Sequence, residues 1–168
     1  MIDDNITSIG KNAFYGCKNL ESVKVGKNVT AIGDKAFYKC TKLKTISIPS
    51  KVKTIGTSAF YGCTKMTKVS LGKNVTSIGA KAFKNCKALK SITIPSKVNY
   101  IGKEAFYNCK SMKTVTIKTK KLKSSNVGSK AFKKVYSKAT YKLPKGKSKA
   151  YKSLLKKKGA SSKSKFKN

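Results

Sequence analysis

Apolar residues return along this chain in a fixed register, and polar residues fill the gaps between them. Ile6, Val29, Val52, Val75 and Val98 open successive copies of one phrase, and Ile9, Ile32, Ile55, Ile78 and Ile101 stand three residues further on. A glycine follows each of these, at Gly10, Gly33, Gly56, Gly79 and Gly102, and again at Gly128. Next come Phe14, Phe37, Phe60, Phe83 and Phe106, each 23 residues after the last, then Phe132 after 26. Cys17, Cys40, Cys63, Cys86 and Cys109 keep the same step, as do Leu20, Leu43, Met66, Leu89 and Met112. Every copy closes on two alternating apolar positions, from Val23 and Val25 to Val115 and Ile117. A period of this size and regularity is the signature of a solenoid in which each copy forms one coil.

Within a coil, the closing alternation predicts a short strand with those side chains inward. A weaker extended piece is expected over Val29–Ile32 and its equivalents. Between them, Ala-Phe-x-x-Cys-x-x-Leu spaces its apolar residues by three and four, which predicts one helical or 3₁₀ turn. The glycine column is expected to supply positive φ at the corner. One coil cannot enclose its own apolar side chains, so stacking is required. It would place Phe14, Phe37, Phe60, Phe83, Phe106 and Phe132 in one structural spine and pair the strands in parallel at about 4.8 Å. After Ile117 the run Lys118–Ser125 lengthens the spacing, and a degraded sixth coil closes at Leu143 and Pro144. The corner alternates Gly26, Pro49, Gly72, Pro95, which points to duplication in pairs of coils.

Charge changes the picture. There are 40 basic residues against five acidic ones, a formal +35, and every basic residue is lysine. This balance implies attraction to anionic polymers or surfaces; an AT-rich genome and a need for solubility would produce it too. No stretch has the roughly 18 apolar residues of a membrane span. The opening Met1–Ile6 has neither the basic nor the apolar region of a signal peptide. Because it begins inside a repeat, the chain is expected to be the C-terminal portion of a longer protein.

Catalytic and metal chemistry find little to work with. The acidic residues are Asp3, Asp4, Glu21, Asp34 and Glu104, unpaired in sequence and in the aligned columns, and histidine is absent. General acid–base catalysis and base-activated nucleophiles therefore lack their usual groups, and the reading is not an enzyme. Zinc sites use close cysteine pairs, whereas these five are widely spaced on an apolar face, which makes them buried structural thiols. No metal and no cofactor is expected.

The phrase Val-x-x-Ile-Gly-x-x-Ala-Phe-x-x-Cys-x-x-Leu-x-x-Ile-x-Ile-Pro resembles the bacterial BspA-type leucine-rich repeat, over residue 6 to about 144. The resemblance implies a right-handed leucine-rich-repeat superhelix, secreted or at the cell surface, with some members acting as adhesins and none bringing catalytic residues. It also assigns the organisation of the chain: a repeat domain over 1–144 and a C-terminal capping segment over 145–160. In that cap Ala150, Tyr151, Leu154 and Leu155 share one face of a short helix, with Gly159 at its end. Residues 161–168 are expected to be a basic, disordered tail.

Candidate binding residues lie between the inward strand positions. Lys24, Lys44, Lys68, Lys90 and Lys113, with Thr45, Ser47, Ser70, Ser91, Thr93, Thr114 and Thr116, make a lysine and hydroxyl surface. The expected function is a binding or adhesion module offering that face to an acidic polysaccharide, a cell-wall polymer or a host extracellular protein. A structural spacer of a larger surface protein is the alternative. Nucleic acid would be bound only nonspecifically, since arginine is missing for base recognition. Ser and Thr equally suit any exposed sheet, and lysines among them spoil a lattice for ice. Tyr15, Tyr38, Tyr61 and Tyr107 either stack on ligands or pack on the next coil.

Overall fold

The computed structural model describes residues 1–168, and it is a parallel solenoid. One wall is a five-stranded parallel sheet made of β1 (Ser8–Ile9), β3 (Ala31–Ile32), β5 (Thr54–Ile55), β7 (Ser77–Ile78) and β9 (Tyr100–Ile101), in that order. The other wall has β2 (Ser22–Val23), β4 (Thr45–Ser47) and β6 (Lys68–Ser70) in one ladder. A second ladder follows with β8 (Ser91–Ile94), β10 (Thr114–Ile117), β11 (Thr140–Lys142) and β12 (Lys165–Lys167). β6 packs beside β8, and Lys90 N–H donates to the Thr67 carbonyl across the join at 3.2 Å. Register follows the repeat: Ile9 pairs with Ile32, Ile32 with Ile55, and Val115 with Ile92.

Phenylalanine forms the spine that the columns predict. Ring centroids from Phe14 to Phe132 succeed one another at 5.0, 5.2, 5.2, 5.5 and 5.4 Å, near parallel throughout. Phe37, Phe60, Phe83, Phe106 and Phe132 are fully buried, whereas Phe14 is only half-buried because a ring covers it on one side alone. The cysteine column behaves in the same way. Cys40, Cys63, Cys86 and Cys109 are buried, and each thiol donates to the carbonyl of the Phe 26 residues earlier, at 3.1–3.2 Å. Cys17 has no such carbonyl before it and is exposed, so the expectation of five buried thiols holds for four.

Two local expectations are corrected. The Ala-Phe-x-x-Cys segment is not a continuous helical turn. Its bonds are of the i to i+3 kind, as from Ala36 N–H to Gly33 and from Cys40 N–H to Phe37, but two residues per coil sit at left-handed φ. Lys35 at 54° and Lys39 at 55° are one such pair, Glu104 at 57° and Asn108 at 63° another. At these points the amide turns out of the coil toward the next: Phe37 N–H donates to Ala59 and Lys39 N–H to Tyr61, both at 2.7 Å. A helix would keep those donors for itself.

The glycine column, in turn, does not supply positive φ. Its reason is close approach. A Cβ at Gly33 would sit 2.7 Å from the carbonyl carbon of Gly10, and one at Gly79 2.6 Å from that of Gly56. Backbone stacks directly on backbone there, and only hydrogen fits between.

The last coil departs most from the sequence reading. Helix α1 (Ser148–Lys157) buries Tyr151, Leu154 and Leu155, while Ala150 is exposed. It takes the place that a short strand holds in the other coils. The Tyr151 hydroxyl donates to the Thr119 carbonyl at 3.1 Å and accepts from Leu122 N–H at 3.0 Å, which ties the Lys118–Ser125 insertion to the helix. Residues 161–168 are not a disordered tail. Lys165, Phe166 and Lys167 pair with Thr140, Tyr141 and Lys142, and the Phe166 ring stacks on Tyr141 at 5.3 Å. An open sheet edge and an aromatic face order a segment whose composition alone favours solvent.

Burial also sets thiol reactivity. Loss of solvent pushes the Cys40 thiol up to about 11 and raises Cys63, Cys86 and Cys109 further still. Thiolate is the reactive form, so at pH 8 a thiol reagent should label Cys17 rapidly in the native protein and the other four only on unfolding. Rapid reaction at more than one site would show that the coils open easily.

Candidate functional site

The outward face of the wall built from β2, β4, β6, β8, β10, β11 and β12 carries the candidate residues. Strand alternation turns Val69, Ile92 and Val115 inward and their neighbours outward. Lys24, Lys44, Lys68, Lys90 and Lys113 are all exposed, as are Thr45, Ser47, Ser70, Ser91 and Thr93; Thr114 and Thr116 are half-buried.

Register sorts these residues into three rows. In the inner row Ser22, Thr45 and Lys68 are Cα partners, and beyond the join Ser91, Thr114, Thr140 and Lys165 continue it. The outer row pairs Ser47 with Ser70, then Thr93, Thr116, Lys142 and Lys167, with Lys24 one 23-residue step before Ser47. An edge row of Glu21, Lys44, Thr67, Lys90 and Lys113 is linked by amide-to-carbonyl bonds from each residue to the one before. The five candidate lysines are thus spread over three rows and form no single line of charge. Three lysines outside the candidate set share the face, Lys142, Lys165 and Lys167. For the last two, the period-two Lys-Phe-Lys was the available signal.

Local partners differ. Lys44 Nζ lies 2.8 Å from Glu21 Oε2, and that ammonium holds the Glu21 carboxyl below its ordinary range. Both groups are more than half exposed, so water screens the pair and its net contribution is small. Lys113 Nζ stands 5.8 Å from the centroid of Tyr136. Neither Lys24, Lys68 nor Lys90 has an ion-pair partner.

The tyrosine column packs on itself. Tyr15–Tyr38 and Tyr38–Tyr61 stack with centroids 4.8 Å apart. Lys84 interrupts it, pairing with Glu104 at 2.7 Å beneath a mostly buried surface and reaching within 4.7 Å of the Tyr107 ring centroid. The Lys84 ammonium holds the Glu104 carboxyl low, and Glu104 in turn raises Lys84.

The remaining carboxylates are engaged as well. Asp4 pairs with Lys27 at 3.2 Å, Asp34 Oδ1 accepts from Thr57 N–H at 2.6 Å, and Asp3 Oδ1 accepts from Asn5 N–H at 2.9 Å. Each carboxylate is spent on a local bond, which leaves most of the lysine charge facing solvent. No group of three His, Cys, Asp or Glu side chains is gathered as a metal would need, and no helix is long and apolar enough to cross a membrane.

Parallel coils of 23 residues with a Phe spine and a short-strand wall define a leucine-rich-repeat solenoid. The model of the BspA type leucine rich repeat region matches residues 1–111 and 76–167 in six copies, and the chain belongs to that family. The fold is similar to the leucine rich repeat protein TpLRR of T. pallidum, at 30% identity and a TM-score of 0.69, covering 82% of this chain and 63% of that one. It is also similar to a leucine rich cell surface protein of Faecalibacterium prausnitzii, at 32% identity and a TM-score of 0.55, over 71% of this chain and 38% of the other. The pneumococcal vaccine antigen PcpA shares the fold at 20% identity, with a TM-score of 0.72 over 96% of this chain and 44% of its own. The chain therefore spans less than two thirds of the length of these neighbours. Nothing among curated proteins matches the sequence.

Proposed function

We propose that this protein is a non-catalytic binding module of the outer bacterial surface that holds an acidic macromolecule against its lysine and hydroxyl sheet face. The observation that carries this reading is the face itself. Two rows of Lys, Ser and Thr run the length of this wall, beside a shorter edge row from Glu21 to Lys113 that holds the one carboxylate of the face. A chain laid across the coils would meet an ammonium or hydroxyl at each step of about 5 Å. The partner is an acidic polysaccharide, a cell-wall polymer or an acidic host protein. A location outside the cell is supported by one neighbour described as a cell surface protein.

Salt sensitivity alone does not separate a site from bulk charge, because both release counterions. The test replaces Lys24, Lys44, Lys68, Lys90 and Lys113 by glutamine, and in a second variant the exposed Lys35, Lys65, Lys81, Lys87 and Lys110. Both variants lose the same charge. Affinity for a long sulfated polymer, measured at fixed salt, should fall at least about tenfold more in the first, a difference of about 1.4 kcal/mol. Equal losses would leave the spacer as the better reading.

A further inference from the structure

The largest cavity of the molecule, of about 590 Å³, lies at the C-terminal end of the solenoid and not on the candidate face. Lys149, Lys152 and Lys156 line one side of it, and Ser162, Ser164 and Phe166 the other. Sequence spacing by three and four puts the three lysines together on one face of α1, flanking the buried stripe of Tyr151, Leu154 and Leu155. None of them has an ion-pair partner, and no acidic residue lines the cavity. At one end the Ser148 hydroxyl donates to Asn168 Oδ1, which fastens Asn168 to the start of the helix.

Phe166 gives the cavity its second character. Tyr141 stacks on one side of the ring, with planes 18° apart. The ring is half-buried and lines the cavity, which places its other side toward the opening. Each ring from Phe37 to Phe106 has an aromatic neighbour on both sides, whereas Phe166 ends the aromatic packing with Tyr141 as its single aromatic neighbour. A flat apolar face beside three unpaired ammoniums and two hydroxyls suits a ring that is apolar on one side, hydroxylated at its edge and anionic. We infer that this cavity binds an acidic sugar: its C–H face on Phe166, its carboxylate or sulfate on Lys149, Lys152 and Lys156, and its hydroxyls on Ser162 and Ser164. A single-stranded nucleic acid would call for successive stacking rings, and the cavity has one. The volume falls within the range of small-ligand sites, about 300–1,000 Å³. This inference shares an acidic saccharide as ligand class with one partner of the proposed function, but it does not rest on that reading, and its residues are different.

The experiment titrates the full chain calorimetrically with a short oligogalacturonate, a neutral maltooligosaccharide of equal length and a short oligothymidylate. The proteins compared are wild type, Phe166→Leu, the Lys149→Gln/Lys152→Gln/Lys156→Gln triple variant, a Lys65→Gln/Lys87→Gln/Lys110→Gln triple variant and the five-lysine sheet-face variant. Thermal melts confirm that each is folded; the lysine variants change exposed side chains only. Wild type should prefer the oligogalacturonate, and Phe166→Leu and the cap triple variant should each weaken it about tenfold. The control triple variant should lose much less. No preference over the neutral sugar, equal losses in both triple variants, or tighter oligothymidylate binding that depends on Phe166 would each overturn the inference. Loss in the five-lysine sheet-face variant, with none in the cap variants, would overturn it too while leaving the proposed function in place. Loss in the cap variants alone would uphold it.

Discussion

Gly79→Ala should destabilise the protein by about 3 kcal/mol or more, although alanine is the smallest change a glycine can undergo. Its Cβ would meet the Gly56 carbonyl carbon at 2.6 Å and the Gly56 oxygen and Thr57 nitrogen at 2.7 Å, all backbone atoms of the coil before it. Backbone cannot rotate away as a side chain can. Separating the coils would break the bonds from Gly79 N–H to Ile55 and from Gly102 N–H to Ile78, both 2.8 Å. The comparison is Gly10→Ala, in the same column, where the added Cβ has nothing within 4 Å. That variant should stay within about 0.5 kcal/mol of wild type. Melting followed by circular dichroism reads both, and at about 2–4 °C per kcal/mol for a chain of this size the first shift is large. If the two variants melt together, the glycine column serves conformation and not coil spacing.

Truncating the spine has a comparable effect. Phe83→Ala should cost about 3–5 kcal/mol, the usual range for a buried aromatic reduced to a methyl group. Phe83 is fully buried between Phe60 at 5.2 Å and Phe106 at 5.5 Å, and its carbonyl accepts the Cys109 thiol. Phe14→Ala removes the same atoms from a half-buried ring with a single aromatic neighbour, Phe37 at 5.0 Å, so its cost should be less than half as large. In a solenoid each coil touches only its neighbours, so a weak central coil uncouples the two sides. Urea unfolding of Phe83→Ala should therefore broaden or split, with hydrogen exchange rising around Cys86 before the flanking coils open. A sharp, single transition at wild-type midpoint would contradict the nearest-neighbour account.

The 23-residue coil, the Phe spine, the inward strand positions and four of five buried thiols were determined by the sequence itself. The physical reason is that in a stacked solenoid every inward side chain meets the same side chain one coil away, so burial repeats with the sequence and shows as columns. The outward face was legible by the same alternation. Its rows showed as columns too, as far as Thr140 and Lys142; their continuation at Lys165 and Lys167 did not, because it depends on the chain end returning to the sheet.

Tertiary structure alone decided the features that have no constant residue type. The left-handed position before each Ala-Phe is held by Asn12, Lys35, Ser58, Lys81, Glu104 and Lys130, which share no conformational preference. A left-handed non-glycine residue costs roughly 1–2 kcal/mol, and bonds such as Phe60 N–H to the Ala82 carbonyl at 2.8 Å hold it there. Those bonds exist only once a second coil is in place. The same holds for the chain end: Ser161–Asn168 has a composition suited to water, and only the exposed edge of β11 and the ring of Tyr141 make Lys165–Lys167 a strand. What a residue can bury is written in its own column; which backbone groups it must satisfy is set by the coil beside it.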